Sequence, residues 1–198
     1  MAAILNTIKT ALTSKGLDMP VYTTAENSKE SQTYEERHYP ECKWVSTKVV
    51  SMVHKDARST GFRRLFKYIQ GANEPSEKVE MTAPVATKIV PGAGPNCEST
   101  FTVSFFIPPE NAENPPKPTD PDVFIETWPA QTIYSKQFGG SPKDDEYVSH
   151  AQELAQELSD KNINQNYWFT AGYDSPFKMF NRRNEIWYVK EDKANKTQ

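Results

Sequence analysis

The residues whose types could carry chemistry are few: three histidines, His38, His54 and His150, two cysteines, Cys42 and Cys97, and a pair of cations, Arg63 and Lys67, set beside Phe62 and Phe66. Hydrolysis or group transfer would need a nucleophile beside a base, a phosphate-cradling loop or a clustered metal set. The chain contains no G-x-S-x-G, P-loop, G-x-G-x-x-G or H-E-x-x-H pattern, so we expect no enzyme. The histidines stand far apart on different elements, and two isolated cysteines suit neither a zinc site nor a disulfide framework. They read as free thiols of a reducing compartment, with the cytoplasm as default.

The cations are more informative. On a helix at 100° per residue, Arg63 and Lys67 share one flank, about 100–140° from Phe62. From Lys55 to Lys67 five basic residues face only Asp56, a net of +4, whereas from Lys143 to Lys161 two basic residues face six acidic ones, a net of −4. Aromatic surface flanked by cations suits a planar apolar molecule with carboxylate arms: the rings take the plane and the cations take the arms.

Two helices and several strands must position these groups. Residues 34–53 alternate as a strand kinked at Pro40. Phe62, Leu65, Phe66 and Ile69 give helical periodicity over about 57–71, closed by Gly71. Strands follow at 79–90 and 100–107, joined by the turn-rich stretch 91–99. Six prolines in the fourteen residues 108–121 mark a surface connection of polyproline character. The second half repeats the plan: strands at 123–126 and 132–138, a helix opened by Ser141-Pro142 with the stripe Tyr147, Ala151, Leu154 and Leu158, then strands at 167–171 and 185–189. The fold class is therefore α+β: duplicated strand–helix–strand–strand units forming a curved antiparallel sheet or open barrel with two packed helices. The C-terminal aromatics, Tyr167, Trp168, Phe169, Tyr173, Phe177, Phe180, Trp187 and Tyr188, are expected to floor a pocket against the first helix. Tyr173, between Gly172 and the turn at Asp174-Ser175-Pro176, is the one placed to face a ligand.

The stretch Lys78–Thr87, KVEMTAPVAT, reads as a strand with Pro84 in its middle, which calls for an edge position or a bulge. With YEERHYPECKWVST (34–47), GFRRLFKYIQGANE (61–74), DVFIE (122–126), QFGG (137–140), TAGYDSP (170–176) and NRRNEIWYV (181–189), it resembles the SOUL haem-binding protein family. The resemblance implies the same pseudo-twofold architecture and non-catalytic binding of haem or another tetrapyrrole, as carrier or buffer. For such a ligand the candidate contacting set is Phe62, Arg63, Phe66 and Lys67 of the helix flank, Tyr173, and His38; the resemblance implies His38 of YEERHYP as axial iron ligand, although one branch binds tetrapyrrole without that histidine. It also implies an alternative. The second helix, ending Leu158-Ser159-Asp160, loosely resembles a BH3 segment, and through it the chain would meet an anti-apoptotic partner and associate with mitochondria. His54 reads as a local cap or surface group, His150 as a satisfied, partly buried side chain, and Asn184 as structural.

The 198 residues suffice for one core, and a net charge of −3 argues against a nucleic-acid partner. No apolar run is long enough for a transmembrane segment. Residues 1–33 read as an amphipathic N-terminal segment and linker without the apolar core of a secretory signal, 34–190 as the domain, and 191–198 as a polar tail.

Overall fold

The computed structural model describes residues 16–25, 33–94, 97–174, 178 and 180–191. Of the amphipathic segment and linker expected over residues 1–33, residues 1–15 and 26–32 lie outside the described residues, as do Ser175, Pro176, Phe177 and the tail beyond 191.

Among the described residues, nine strands form one open antiparallel sheet. They are β1 (Thr23–Thr24), β2 (Glu35–Tyr39), β3 (Cys42–Ser51), β4 (Val85–Val90), β5 (Ser99–Phe106), β6 (Val123–Trp128), β7 (Gln131–Phe138), β8 (Trp168–Gly172) and β9 (Asn184–Val189), with helices α1 (His54–Ile69), α2 (Pro109–Ala112) and α3 (Asp144–Glu157). The spatial order is β1-β2-β7-β9-β8-β4-β5-β3-β6. Exchanging β2, β3, β4 and β5 with β6, β7, β8 and β9 reverses the order from β2 to β6, so the duplication is a pseudo-twofold between β4 and β8. Each unit is strand–strand–helix–strand–strand, and its first strand pairs with the other unit: β2 with β7, and β6 with β3.

Period-2 alternation sorts side chains to two faces. Tyr39, Trp44, Phe106, Phe169 and Trp187 meet inside the curl. Trp128 of β6 stacks on Trp44 at 4.2 Å and lies 5.1 Å from Phe169, although β3, β5 and β4 separate β6 from β8 along the sheet. Only a strongly curled sheet brings them together. On the outer face, Val45, Val103 and Phe105 pack under Leu65 and Ile69 of α1. Tyr134, Ile186 and Tyr188 pack under Tyr147, Ala151, Leu154 and Leu158 of α3 and the turn after it.

Local chemistry shifts several expected boundaries. Strand character over 34–53 divides at Pro40-Glu41, because β2 and β3 take different partners. Pro84 sits neither at an edge nor in a bulge. It follows a cis peptide bond from Ala83 and precedes the first residue of β4, an interior strand between β5 and β8, so its missing N–H costs the ladder nothing. Val79 instead packs beneath α1, and Thr82 Oγ1 donates to the Phe106 carbonyl at 2.6 Å. Helix α3 begins after Lys143 rather than at Ser141-Pro142, and Glu146 reaches back to accept the Lys143 N–H at 2.7 Å. Gly71, at φ +113°, ends α1 where a side chain would be strained. The proline-rich connection is anchored: Tyr68 donates its hydroxyl to the Pro116 carbonyl at 2.7 Å. Tyr22 joins the interior core and β1 pairs with β2, so residues 17–24 pack on the domain instead of linking to it.

Candidate functional site

Helix α1 sorts its side chains by angle. Leu65, Tyr68 and Ile69 are buried, Phe62 is half-buried against Phe105 at 5.3 Å, and Phe66 is 43% exposed. Phe66 is thus not core, a point that the apolar periodicity alone leaves open. Its ring stacks on Phe62 with centroids 5.8 Å apart and planes 14° apart, which presents a flat aromatic surface to solvent. Arg63 and Lys67 are exposed beside it, and neither pairs with a carboxylate among the described residues; Arg63 reaches only the Thr60 hydroxyl, at 3.4 Å. The structure therefore brings Phe62, Arg63, Phe66 and Lys67 together as one aromatic surface with free cations on its flank.

It does not bring the other candidates to them. His38 is exposed on β2, its Nδ1 2.8 Å from Thr132 Oγ1, in a shallow cleft of about 300 Å³ with Tyr39, Gln131 and Lys190. Four strands separate β2 from β5, on which α1 packs, so His38 and the α1 flank belong to different regions. Tyr173, expected to face a ligand, is buried in the interior cluster and donates its hydroxyl to Glu185 Oε2 at 2.8 Å. The other C-terminal aromatics among the described residues do not floor a pocket against α1, because strand alternation divides them. Phe169 and Trp187 face the interior, Trp168 and Tyr188 lie on the α3 side, and Phe180 is exposed.

The motifs converge elsewhere. Arg37 of YEERHYP, Tyr173 of TAGYDSP, and Arg183, Glu185 and Trp187 of NRRNEIWYV meet on the inner face around a fully buried carboxylate. Glu185 accepts from Arg37 at 2.8 and 3.1 Å, from Arg183 at 2.9 and 2.6 Å, and from Trp187 Nε1 at 2.7 Å. Burial pushes its pKa up, but the charge and hydrogen bonds of Arg37, with Arg183 and Trp187, outweigh burial and hold it at about 2. Every lone pair is spent, so this network fastens β2 to β9 and β8 and offers no group to a substrate. Sequence reasoning missed it because nothing in the local pattern pairs Arg37 with Glu185, 148 residues away.

His54 is no surface group: it is buried between the Phe101 ring, stacked at 5.5 Å, and Tyr147. Burial, with the nearby Arg58 charge, lowers its pKa to about 4 despite Asp144. His150 leans on Phe138 at 4.0 Å and lies 3.3 Å from Glu153. Asn184 donates to the Gly140 carbonyl and accepts from Tyr147. The α3 stripe is spent on the sheet, Leu154 and Leu158 being fully buried, so presenting it to a partner requires local unpacking. Among the described residues no three His, Cys, Asp or Glu groups cluster to hold a metal ion, and no helix is long and apolar enough to cross a membrane.

The family model described as SOUL heme-binding protein matches residues 17–189. Heme-binding protein 2 from Homo sapiens is 42% identical over 166 residues, covering 83% of this chain and 81% of that one. Heme-binding protein 1 from Xenopus laevis is 36% identical over 169 residues, 85% of this chain and 89% of that one. A solved EcmrR–DNA complex superposes over 80% of this chain and 57% of its own with a TM-score of 0.62 at 14% identity, a likeness of fold alone.

Proposed function

The chain belongs to the SOUL heme-binding protein family, and from that premise we propose that it binds haem or a related tetrapyrrole without catalysis, as a carrier or buffer, on the outer flank of α1. The observation that carries this reading is the stack of half-buried Phe62 and exposed Phe66 beside two cations that pair with no carboxylate among the described residues. A large ring left 43% in water loses hydrophobic free energy that a flat apolar ligand would recover. Arg63 and Lys67 fit carboxylate arms reaching past the ring edge. Haem would supply an iron centre; the chain's own part is to stack the macrocycle and hold its carboxylates. The four residues suit that task whether or not iron is present, since none of them is an imidazole.

His38 is a separate proposal: its exposed ring could ligate iron only for a macrocycle lying on β2, away from α1. Titrating the protein with haemin and with iron-free porphyrin tests the reading. We expect saturable absorbance changes near one equivalent for both, with similar affinities. A non-saturating response equal to that of an unrelated acidic protein would overturn it. His38→Ala should leave the Soret band unchanged if the ligand rests on α1, whereas a shift in position and spin state would move the site to β2.

A further inference from the structure

Where α1 and α3 begin side by side, the outer surface opens into a cleft of about 440 Å³, within the size range of small-ligand sites. Four cationic side chains line it, Lys55, Arg58, Lys143 and Arg182, against one carboxylate, Asp144. None of the four forms an ion pair with a carboxylate among the described residues. Asp144 is otherwise engaged: its Oδ2 accepts the Lys55 backbone N–H at 3.2 Å, and its Oδ1 lies 3.7 Å from His54 Nδ1.

The two arginines are held in place by neutral partners. Arg58 Nη1 donates to the Tyr147 hydroxyl at 2.9 Å, with its guanidinium 5.6 Å from the centre of that ring. Arg182 Nη1 donates to Ser141 Oγ at 3.0 Å, while its buried Nε has no acceptor among the described residues. Both side chains are half-buried. Asp174 feels the Arg182 charge but is paired with Lys178, and Asp144 is one carboxylate among four cations, so half-burying two guanidinium groups and leaving one N–H unmet is costly unless an anion completes the arrangement. Guanidinium forks match oxyanions through paired N–H···O bonds, and two further ammonium groups favour a doubly charged ligand. Lys55 and Arg58 lie two turns and one turn before Phe62 on α1, so the cleft adjoins the aromatic flank without sharing its residues.

We infer that this cleft is a binding site for a phosphate-class dianion: inorganic phosphate, a phosphate monoester or a lipid phosphate headgroup. Val53 at its wall is 42% exposed and the neighbouring Met52 is 63% exposed, so a bilayer delivering a headgroup would meet apolar side chains there. The test is an NMR titration of the full chain with phosphate and pyrophosphate at constant ionic strength, with chloride as control. Saturable shifts should centre on residues 53–58, 141–147 and 182. Arg182→Gln should weaken binding about ten- to a hundredfold, as expected for lost bonds to a charged group. The exposed Lys55→Gln should weaken it less and carries the test if the arginine variant misfolds. Arg63→Gln with Lys67→Gln should leave anion binding unchanged, which separates this site from the tetrapyrrole reading. In a second arm, flotation with phosphatidylcholine vesicles that requires added phosphatidic acid, and is lost in Met52→Asp, would assign the phosphate to lipid; phosphate binding without flotation would assign it to a soluble ligand. The inference falls if neither arm shows binding, if chloride reproduces the shifts, or if both cleft variants bind as wild type does.

Discussion

At the scale of single residues, the most consequential group is Glu185. It is fully buried, yet it holds its charge because Arg37 and Arg183 grip it. Removing the carboxylate strands Arg37 in the interior, so Glu185→Gln should cost about 3–5 kcal/mol in urea unfolding at neutral pH. Replacing Arg37 and Glu185 together by apolar residues should cost less than the single change, which a double-mutant cycle measures. The pH dependence follows from the pKa of about 2 in the folded state, below the ordinary carboxyl value. The stabilisation is complete above the unfolded-state pKa and is lost as pH falls from there toward 2. Urea midpoints of the wild type should therefore decline below about pH 4.5 more steeply than those of the doubly apolar variant. Little of this was legible in the sequence: YEERHYP and NRRNEIWYV stood out as motifs, but a motif does not say that its charged members meet each other rather than a ligand. His38 and Tyr173 drew attention for the same reason. One lies apart on an outer strand, and the other spends its hydroxyl inside.

At the scale of elements, α1 shows what periodicity can and cannot determine. Leu65 and Ile69 are buried as their spacing requires, and Gly71 ends the helix in the conformation that glycine permits. The same spacing leaves Phe66 open between core and surface, because period alone does not tell the centre of an apolar stripe from its margin. We therefore expect Leu65→Ala to cost about 2–5 kcal/mol and Phe66→Ala less than about 1, in parallel denaturant melts. Gly61 was silent in the sequence and matters in three dimensions. A Cβ there would sit 2.4 Å from Val103 Cγ2, inside contact distance. Gly61→Ala should thus destabilise by about 1–3 kcal/mol despite the roughly 1 kcal/mol helix-propensity gain, and Val103→Ala should relieve the loss. The buried His54 joins α1 to α3. With its pKa lowered to about 4, it stays neutral in the fold, and the stability it confers is lost as pH falls from about 6.5 toward 4. His54→Gln should flatten thermal stability across that interval; an unchanged slope would mean that other groups dominate it.

At the scale of the whole molecule, the duplication was readable and the exchange of first strands between the units was not. Repeated strand and helix patterns announce two similar units, but the pairing of β2 with β7 and of β6 with β3 joins segments with no local sequence signal. That exchange, with the inner Arg37–Glu185 network, ties the halves into one curled sheet. The sheet divides its aromatics between its interior and the seats of the two long helices, and the haem surface proposed above lies on the outer flank of α1. The measurement that bears most directly on the central claim is a haemin titration of the wild type alongside the double variant Arg63→Glu, Lys67→Glu, at low and moderate salt. Tetrapyrrole binding on the α1 flank predicts affinity roughly tenfold to a hundredfold weaker in the variant, a gap that narrows as salt rises, and an unchanged melting temperature. Equal haemin affinity in both proteins at both salt concentrations would contradict it and leave α1 as scaffold.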